Sequence, residues 1–221
     1  MENNTFLERL TGKSGDLKVF LEQINPYEDL FSQASTILEI GAGQGWASCI
    51  LKKKFPNICI FCSDLNEPSV NFWEEIFKIK LDNSMACNSN NIPMDNSSVD
   101  ILFCFSAFHH MEYRNTIKEA YRILKPGGHC LFFHEPSCRK YIHRLAYMRV
   151  NKKRPNAGED VIIYKDILAF AKEEGFREAK AVFRATLGNR RPLETIYYYI
   201  IGKIKIFQRI LPCTMDYILK K

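Results

Sequence analysis

The chain has no run approaching the roughly 18 consecutive apolar residues of a membrane-spanning helix. Its amino-terminal MENNTFLERL is polar and acidic and lacks the apolar heart of a secretory signal. Eight cysteines stand at 49, 59, 62, 87, 104, 130, 138 and 213, yet no pair of C-x-x-C motifs is formed. The lone C-x-x-C, Cys59 to Cys62, falls inside a strand-like run, where a thiol packs as a small hydrophobe. No H-x-x-x-H or H-x-x-E-H spacing occurs, and no N-P-P-Y, internal repeat or low-complexity segment. These absences lead us to expect a cytoplasmic chain in a reducing compartment, without metal and without a dedicated nucleic-acid module.

What is present reads as one globular domain. Of 221 residues, 46% are hydrophobic and 25% charged, enough apolar material for a sizeable core. The net charge of +6 is unevenly distributed. Residues 1–138 carry 12 Lys/Arg against 17 Asp/Glu, whereas residues 139–221 carry 19 against 8. A basic last third fits an anionic substrate, an anionic partner or a membrane surface, or else a merely solvated face.

Residues 5–33 carry helical spacing through Phe6, Leu10, Leu17, Phe20, Leu21 and Ile24. Strand and helix patterns then alternate. TILEI, ICIFCSD, VDILFCFSAF and HCLFFHE read as strands; WASCILKKKF, PSVNFWEEIFKIKL and NTIKEAYRIL read as helices. LKPGG stops the last of these. Such alternation predicts an α/β fold, a parallel sheet with helices on both faces. Residues 137–160 break the pattern and read as a basic insertion or lid. YKDILAFAKEEGF is a helix ended by Gly175, and REAKAVFRATL a strand. We therefore divide the chain into a helical cap (1–33), a ligand-binding domain (34–186) and a basic amphipathic tail (187–221). The tail's first half suits either a final strand or a helix, and the tail is a candidate for peripheral membrane contact.

The most informative stretch is LEIGAGQG. An apolar strand ends in Glu39 and the alternating glycines Gly41, Gly43 and Gly45, and a helix follows. Glycine lets backbone approach a ligand closely. The spacing is E-x-G-x-G-x-G rather than the dinucleotide G-x-G-x-x-G, and a Glu before the first Gly suits a cationic amine. About twenty residues on, Asp64 ends strand FCSD. NIPMDNSSVDILFCFSAFHHM and RILKPGGHCLFF complete four segments in order.

Together these segments, from about Ser35 to Ser137, resemble a class I S-adenosylmethionine-dependent methyltransferase of the small-molecule, type 11-like branch. The resemblance implies a Rossmann-like three-layer sandwich, with a mostly parallel seven-stranded sheet and helices on both faces, and S-adenosyl-L-methionine as cofactor. It implies a binding set of Glu39, Gly41, Ala42, Gly43, Gly45, Asp64, Leu65, Asn88, Ser89 and Ser106. Glu39 would hold the methionine amino group, or else cap a loop. Asp64 would accept both ribose hydroxyls, or else cap a helix. Relatives often carry Asp where this chain has Asn88, which can still accept through its amide oxygen. Leu65 and Ile92 would cover the adenine, and Ser106 would offer backbone oxygen. His109, His110 and Glu135 are the candidate catalytic groups, with a His paired to a carboxylate as general base; the alternative is that the His pair only packs. The expected reaction is O-methylation of a small-molecule acceptor, with N- or C-methylation open. That acceptor is expected to be anionic or lipid-linked, gripped near Arg139 and Lys140. The competing reading is a non-catalytic homologue that docks a partner.

Overall fold

The computed structural model describes residues 14–153, 160–184 and 192–221. Residues 14–24 form helix α1, which runs through a 3-10 turn (Asn25–Tyr27) into α2 (Glu28–Gln33). There follow β1 (Thr36–Ile40), α3 (Trp46–Lys54), β2 (Cys59–Asp64), α4 (Asn71–Phe77), β3 (Asn83–Ala86), β4 (Val99–Phe105) and α5 (Tyr113–Ile123). The second half holds β5 (Leu124–Cys138), α6 (Lys140–Lys153), β6 (Ile162–Ile163), α7 (Tyr164–Glu174), β7 (Glu178–Phe183), α8 (Pro192–Lys203), α9 (Lys205–Ile210) and β8 (Cys213–Lys220).

The sheet runs β3-β2-β1-β4-β5-β8-β7, with the two-residue β6 also paired to β5. It therefore has eight strands rather than the seven expected, the extra one being this short β6. β8 alone runs against its neighbours β5 and β7. Period-two alternation distributes the strand side chains to two cores. Ile37, Ile101, Phe103, Leu131 and Phe133 face one side, where α1 to α4 supply Phe20, Phe31, Trp46 and Trp73. Leu38, Leu102, Cys104, Cys130 and Phe132 face the other, against Ile117, Ala120, Ile167, Ala171 and Ile201. The Phe20 ring meets Trp46 at 5.5 Å and Phe105 at 5.6 Å, both edge-on, which locks α1 over the sheet. Fully burying such a ring is worth about 2–3 kcal/mol.

Three elements depart from the sequence reading. The helix expected over 68–81 ends at Phe77, because Lys78 takes a left-handed conformation (φ 52°), and β3 follows where no strand was expected. Most of the stretch read as a basic lid is the regular helix α6, whose inner residues Ile142, Ala146 and Val150 pack against Cys138 and Val161. Residues 154–159 of that stretch lie outside the described residues. The segment set apart as a tail is not peripheral throughout: after α8 and α9 it returns as β8, largely buried between β5 and β7.

β8 carries Asp216 with no exposed surface. Its carboxylate accepts from Arg184 Nε at 2.9 Å, Gln23 Nε2 at 2.8 Å and His134 N at 3.0 Å. Burial pushes its pKa up to about 6 despite these donors. One side chain thereby joins α1, β5 and β8 to the residue that follows β7.

Candidate active site

A cavity of about 400 Å³ opens where β1, β2 and β4 end. That is where ligands bind in open α/β sheets. Its wall comprises Ile40 and Gly41 at the end of β1, Asp64 and Leu65 at the end of β2, and Cys87 to Asn90 after β3. Ser106, Ala107, His110, Met111 and Glu112, between β4 and α5, complete it.

The turn after β1 is tied to the end of β2. Ala42 N donates to Ser63 O at 2.9 Å, Ser63 Oγ to Glu39 O at 2.7 Å, and Gly43 N to Asp64 Oδ2 at 2.7 Å. Asp64 Oδ1 also accepts from Leu65 N at 2.7 Å, so both carboxylate oxygens are oriented by backbone at the cavity rim. Gly41 sits where the two loops meet. A Cβ there would stand 2.6 Å from Ala107 Cβ and 2.8 Å from Met111 Cε, with φ at +67°. Only glycine closes this side of the cavity without displacement.

Glu39 is 2% exposed and turns away from the cavity. Its Oε2 accepts from Ser48 N at 3.0 Å and from Ser48 Oγ. Gly45, the residue before α3, is left-handed and offers no side chain to cap that helix. Glu39 therefore reaches across to the first turn of α3 and satisfies an orphan amide. Burial raises its pKa to about 8, the Ser48 donors opposing that shift.

Asn88 lines the cavity, and its Oδ1 accepts from Asn90 N at 2.9 Å. Ser89 Oγ accepts from Thr116 Oγ1 at 3.1 Å, linking this loop to α5. Ser106 adopts φ 52° and donates its N–H to Phe133 O at 2.8 Å. Leu65 is 70% exposed.

The catalytic candidates separate. Glu135 is completely buried and heavily engaged. Oε1 accepts from Ala107 N and Phe108 N, both at 3.0 Å; Oε2 accepts from His109 N at 3.1 Å and is paired with His109 Nδ1 at 2.7 Å. His109 is itself 5% exposed. Neither residue borders the cavity, whereas His110 is exposed and does. The two His rings stand 4.0 Å apart. Arg139 and Lys140 are also away from the cavity wall; the Arg139 guanidinium lies 5.9 Å over the Tyr164 ring.

Several wall residues went unnoticed in the sequence: Ile40, Cys87, Asn90, Ala107, Met111 and Glu112. Glu112 had a local signal, since it caps α5 by accepting from Asn115 N at 2.7 Å. Ala107 and Met111 had none, because their role is fixed by contact with Gly41 in another loop.

Residues 38–132 match the family described as "Methyltransferase domain". A malonyl-[acyl-carrier protein] O-methyltransferase of a Marinomonas species is 29% identical over 117 residues, covering 52% of this chain and 43% of the relative. A tRNA N(3)-methylcytidine methyltransferase of Schizosaccharomyces pombe is 33% identical over 110 residues, covering 44% and 35%. The chain thus spans less than half the length of these curated relatives. The crystal structure of a SAM-dependent methyltransferase from Archaeoglobus fulgidus superposes with a TM-score of 0.66 at 17% identity, covering all of both chains. Over residues 38–132 the chain thus matches a methyltransferase-domain family, and it shares the fold of the Archaeoglobus fulgidus methyltransferase.

Proposed function

We propose that this chain binds S-adenosylmethionine in the cavity at the ends of β1, β2 and β4 and transfers its methyl group to a hydroxyl of a small anionic acceptor. The observation that carries the reading is Asp64: a carboxylate at the tip of β2, bordering the cavity and oriented by the Gly43 amide. An acceptor-only group in that position suits a vicinal diol, each oxygen taking one hydroxyl. The cavity volume lies within the roughly 300–1,000 Å³ typical of ligand pockets. Leu65, apolar and uncovered, suits one face of the adenine, and Asn88 its edge. Ser106 and Ala107 flank the methionine end.

The cofactor supplies an electrophilic methyl on sulfonium; the protein's task is to align the acceptor oxygen with it. His110 borders the cavity and suits the removal of the acceptor's proton. Glu135 suits a different task. Four bonds to the 107–109 backbone and the His109 ring leave it no reach into the cavity, so it holds the wall on which His110 stands. The named activity of the Marinomonas relative favours oxygen as the methylated atom. The excess of Lys and Arg after residue 138 favours an anionic acceptor.

The test is calorimetric titration with S-adenosylmethionine and S-adenosylhomocysteine, followed by methyl transfer to acceptors with and without an anionic group. Binding of both ligands, and transfer that depends on the anionic group, is the expected result. A folded protein that binds neither ligand would sink the reading.

A further inference from the structure

Helices α6, α8 and α9 have apolar side chains on a side that the described residues leave exposed. Of the 13 large hydrophobic residues that stand exposed among the described residues, 11 lie in two segments, 141–148 and 193–210. On α6, Tyr141, Leu145 and Met148 recur at helical spacing on the outside (63%, 71% and 58% exposed), while Ile142, Ala146 and Val150 occupy the inside. On α8, Ile201 is buried, whereas Ile196, Tyr199 and Ile200 face outward. α9 and the residue before it add Ile204, Ile206 and Ile210. An exposed apolar area of this extent marks an interaction surface.

The two segments form one face. Tyr141 Oη reaches Ile210 O at 3.5 Å, and Arg149 acts electrostatically on Tyr197. Both lie at the same edge of the sheet as the cavity. α6 leaves the carboxyl end of β5, and α9 enters β8 at Cys213, which pairs with Ser137 at that same end.

The charge on this face is predominantly positive. Residues 139–153 contain six Lys or Arg and no Asp or Glu, and residues 193–210 contain three Lys or Arg against the single acid Glu194. Lys140, Arg144, Arg149, Lys152, Lys203 and Lys205 are exposed among the outward apolar groups. Aliphatic and tyrosine side chains interleaved with a large excess of cations over acids match the interfacial zone of an anionic bilayer. A nucleic acid would match the cations and could stack on Tyr141 and Tyr199, but it would leave the more numerous outward Leu, Ile and Met without a partner. Among the described residues no helix is long and apolar enough to cross a membrane, so the fit is to lying on the bilayer.

We propose that the face formed by α6, α8 and α9 docks on anionic lipid bilayers and brings the cavity edge of the sheet to the membrane.

The test is sedimentation of the full chain with phosphatidylcholine vesicles, with and without phosphatidylserine. Two double variants accompany it, Arg144→Glu/Arg149→Glu and Leu145→Glu/Met148→Glu. The wild type should sediment with the anionic vesicles only and be released by salt. Each double variant should bind about tenfold more weakly or worse. Both should keep wild-type circular dichroism and S-adenosylhomocysteine affinity, so this inference can fail while the methyltransferase reading stands, and the reverse. Four results would overturn it: no vesicle binding, equal binding to neutral vesicles, variants that bind as well as wild type, or a wild-type dimer that the apolar variant dissociates. A polyuridylate probe bound more tightly than the vesicles, and indifferent to Leu145→Glu/Met148→Glu, would overturn it in favour of RNA.

Discussion

Glu135 and His109 share a 2.7 Å contact between Oε2 and Nδ1, and the same carboxylate takes the amides of residues 107, 108 and 109. A group so committed orders a loop. Replacing Glu135 by Gln would set an N–H₂ against amides that need an acceptor. We expect Glu135→Gln to lower unfolding free energy by about 3 kcal/mol, the usual cost of breaking a buried charged network. Urea unfolding measures this.

His110 has the opposite signature. It borders the cavity and makes no comparable network, so His110→Ala should change stability by less than about 0.5 kcal/mol. The same change should reduce kcat by about 10²-fold or more, the usual contribution of a general base. Stopped assays on an accepted substrate, run beside unfolding curves, separate the two residues. An unaltered kcat would remove His110 from the chemistry.

Asp64→Ala tests the binding site. Loss of two charge-assisted hydrogen bonds should weaken S-adenosylhomocysteine by about 3 kcal/mol, roughly a hundredfold. Titration calorimetry reads it directly.

Gly41 and Gly43 should respond differently to alanine. A Cβ at Gly41 meets Ala107 and Met111, whereas at Gly43 it meets nothing within 4 Å. Both have positive φ, so each alanine carries a backbone cost of about 1–2 kcal/mol. Gly41→Ala adds overpacking of about 1–3 kcal/mol. Thermal unfolding should therefore rank Gly43→Ala well above Gly41→Ala.

Glu39 gives a pH signature. Burial raises its folded-state pKa to about 8, far above an unfolded value near 4.5. The folded protein holds a proton there that the unfolded chain releases. The resulting stabilisation is complete below about pH 4.5, declines with rising pH and is gone above about pH 8. Against Glu39→Gln, wild-type stability should fall by up to about 1.4 kcal/mol per pH unit across that window, then level off. Urea midpoints for both proteins from pH 5 to pH 9 would show it; a constant difference would place the ionised form in the folded state.

The strands that carry long apolar runs were legible in the sequence because burial on both faces leaves no polar positions; β1, β2, β4 and β5 are of this kind. β3 was not: NSMA offers four residues, none fully buried, and its strand character comes from pairing with β2. β8 was obscured by Asp216, which a hydrophobic pattern reads as outward. Its burial depends on Arg184 and on Gln23, the latter 193 residues away. In the site, the glycine turn and Asp64 were legible as local spacing. The role of Glu135 was not, because its donors lie 26 to 28 residues earlier and are backbone amides without a side-chain signature. Glu39 was legible as a conspicuous acid, but its partner Ser48 was not.

The strand that fills the gap between β5 and β7 is made after both of them. During synthesis, the hydrophobic edge of β5 stays open until Lys220 has cleared the ribosome tunnel, and β7 has no partner strand before then. For that interval the nascent chain displays an unpaired edge of the kind that recruits other strands. The demand on chaperones should thus persist until β8 is free to pair, and slowing translation between β5 and β8 should increase aggregation more than slowing it earlier.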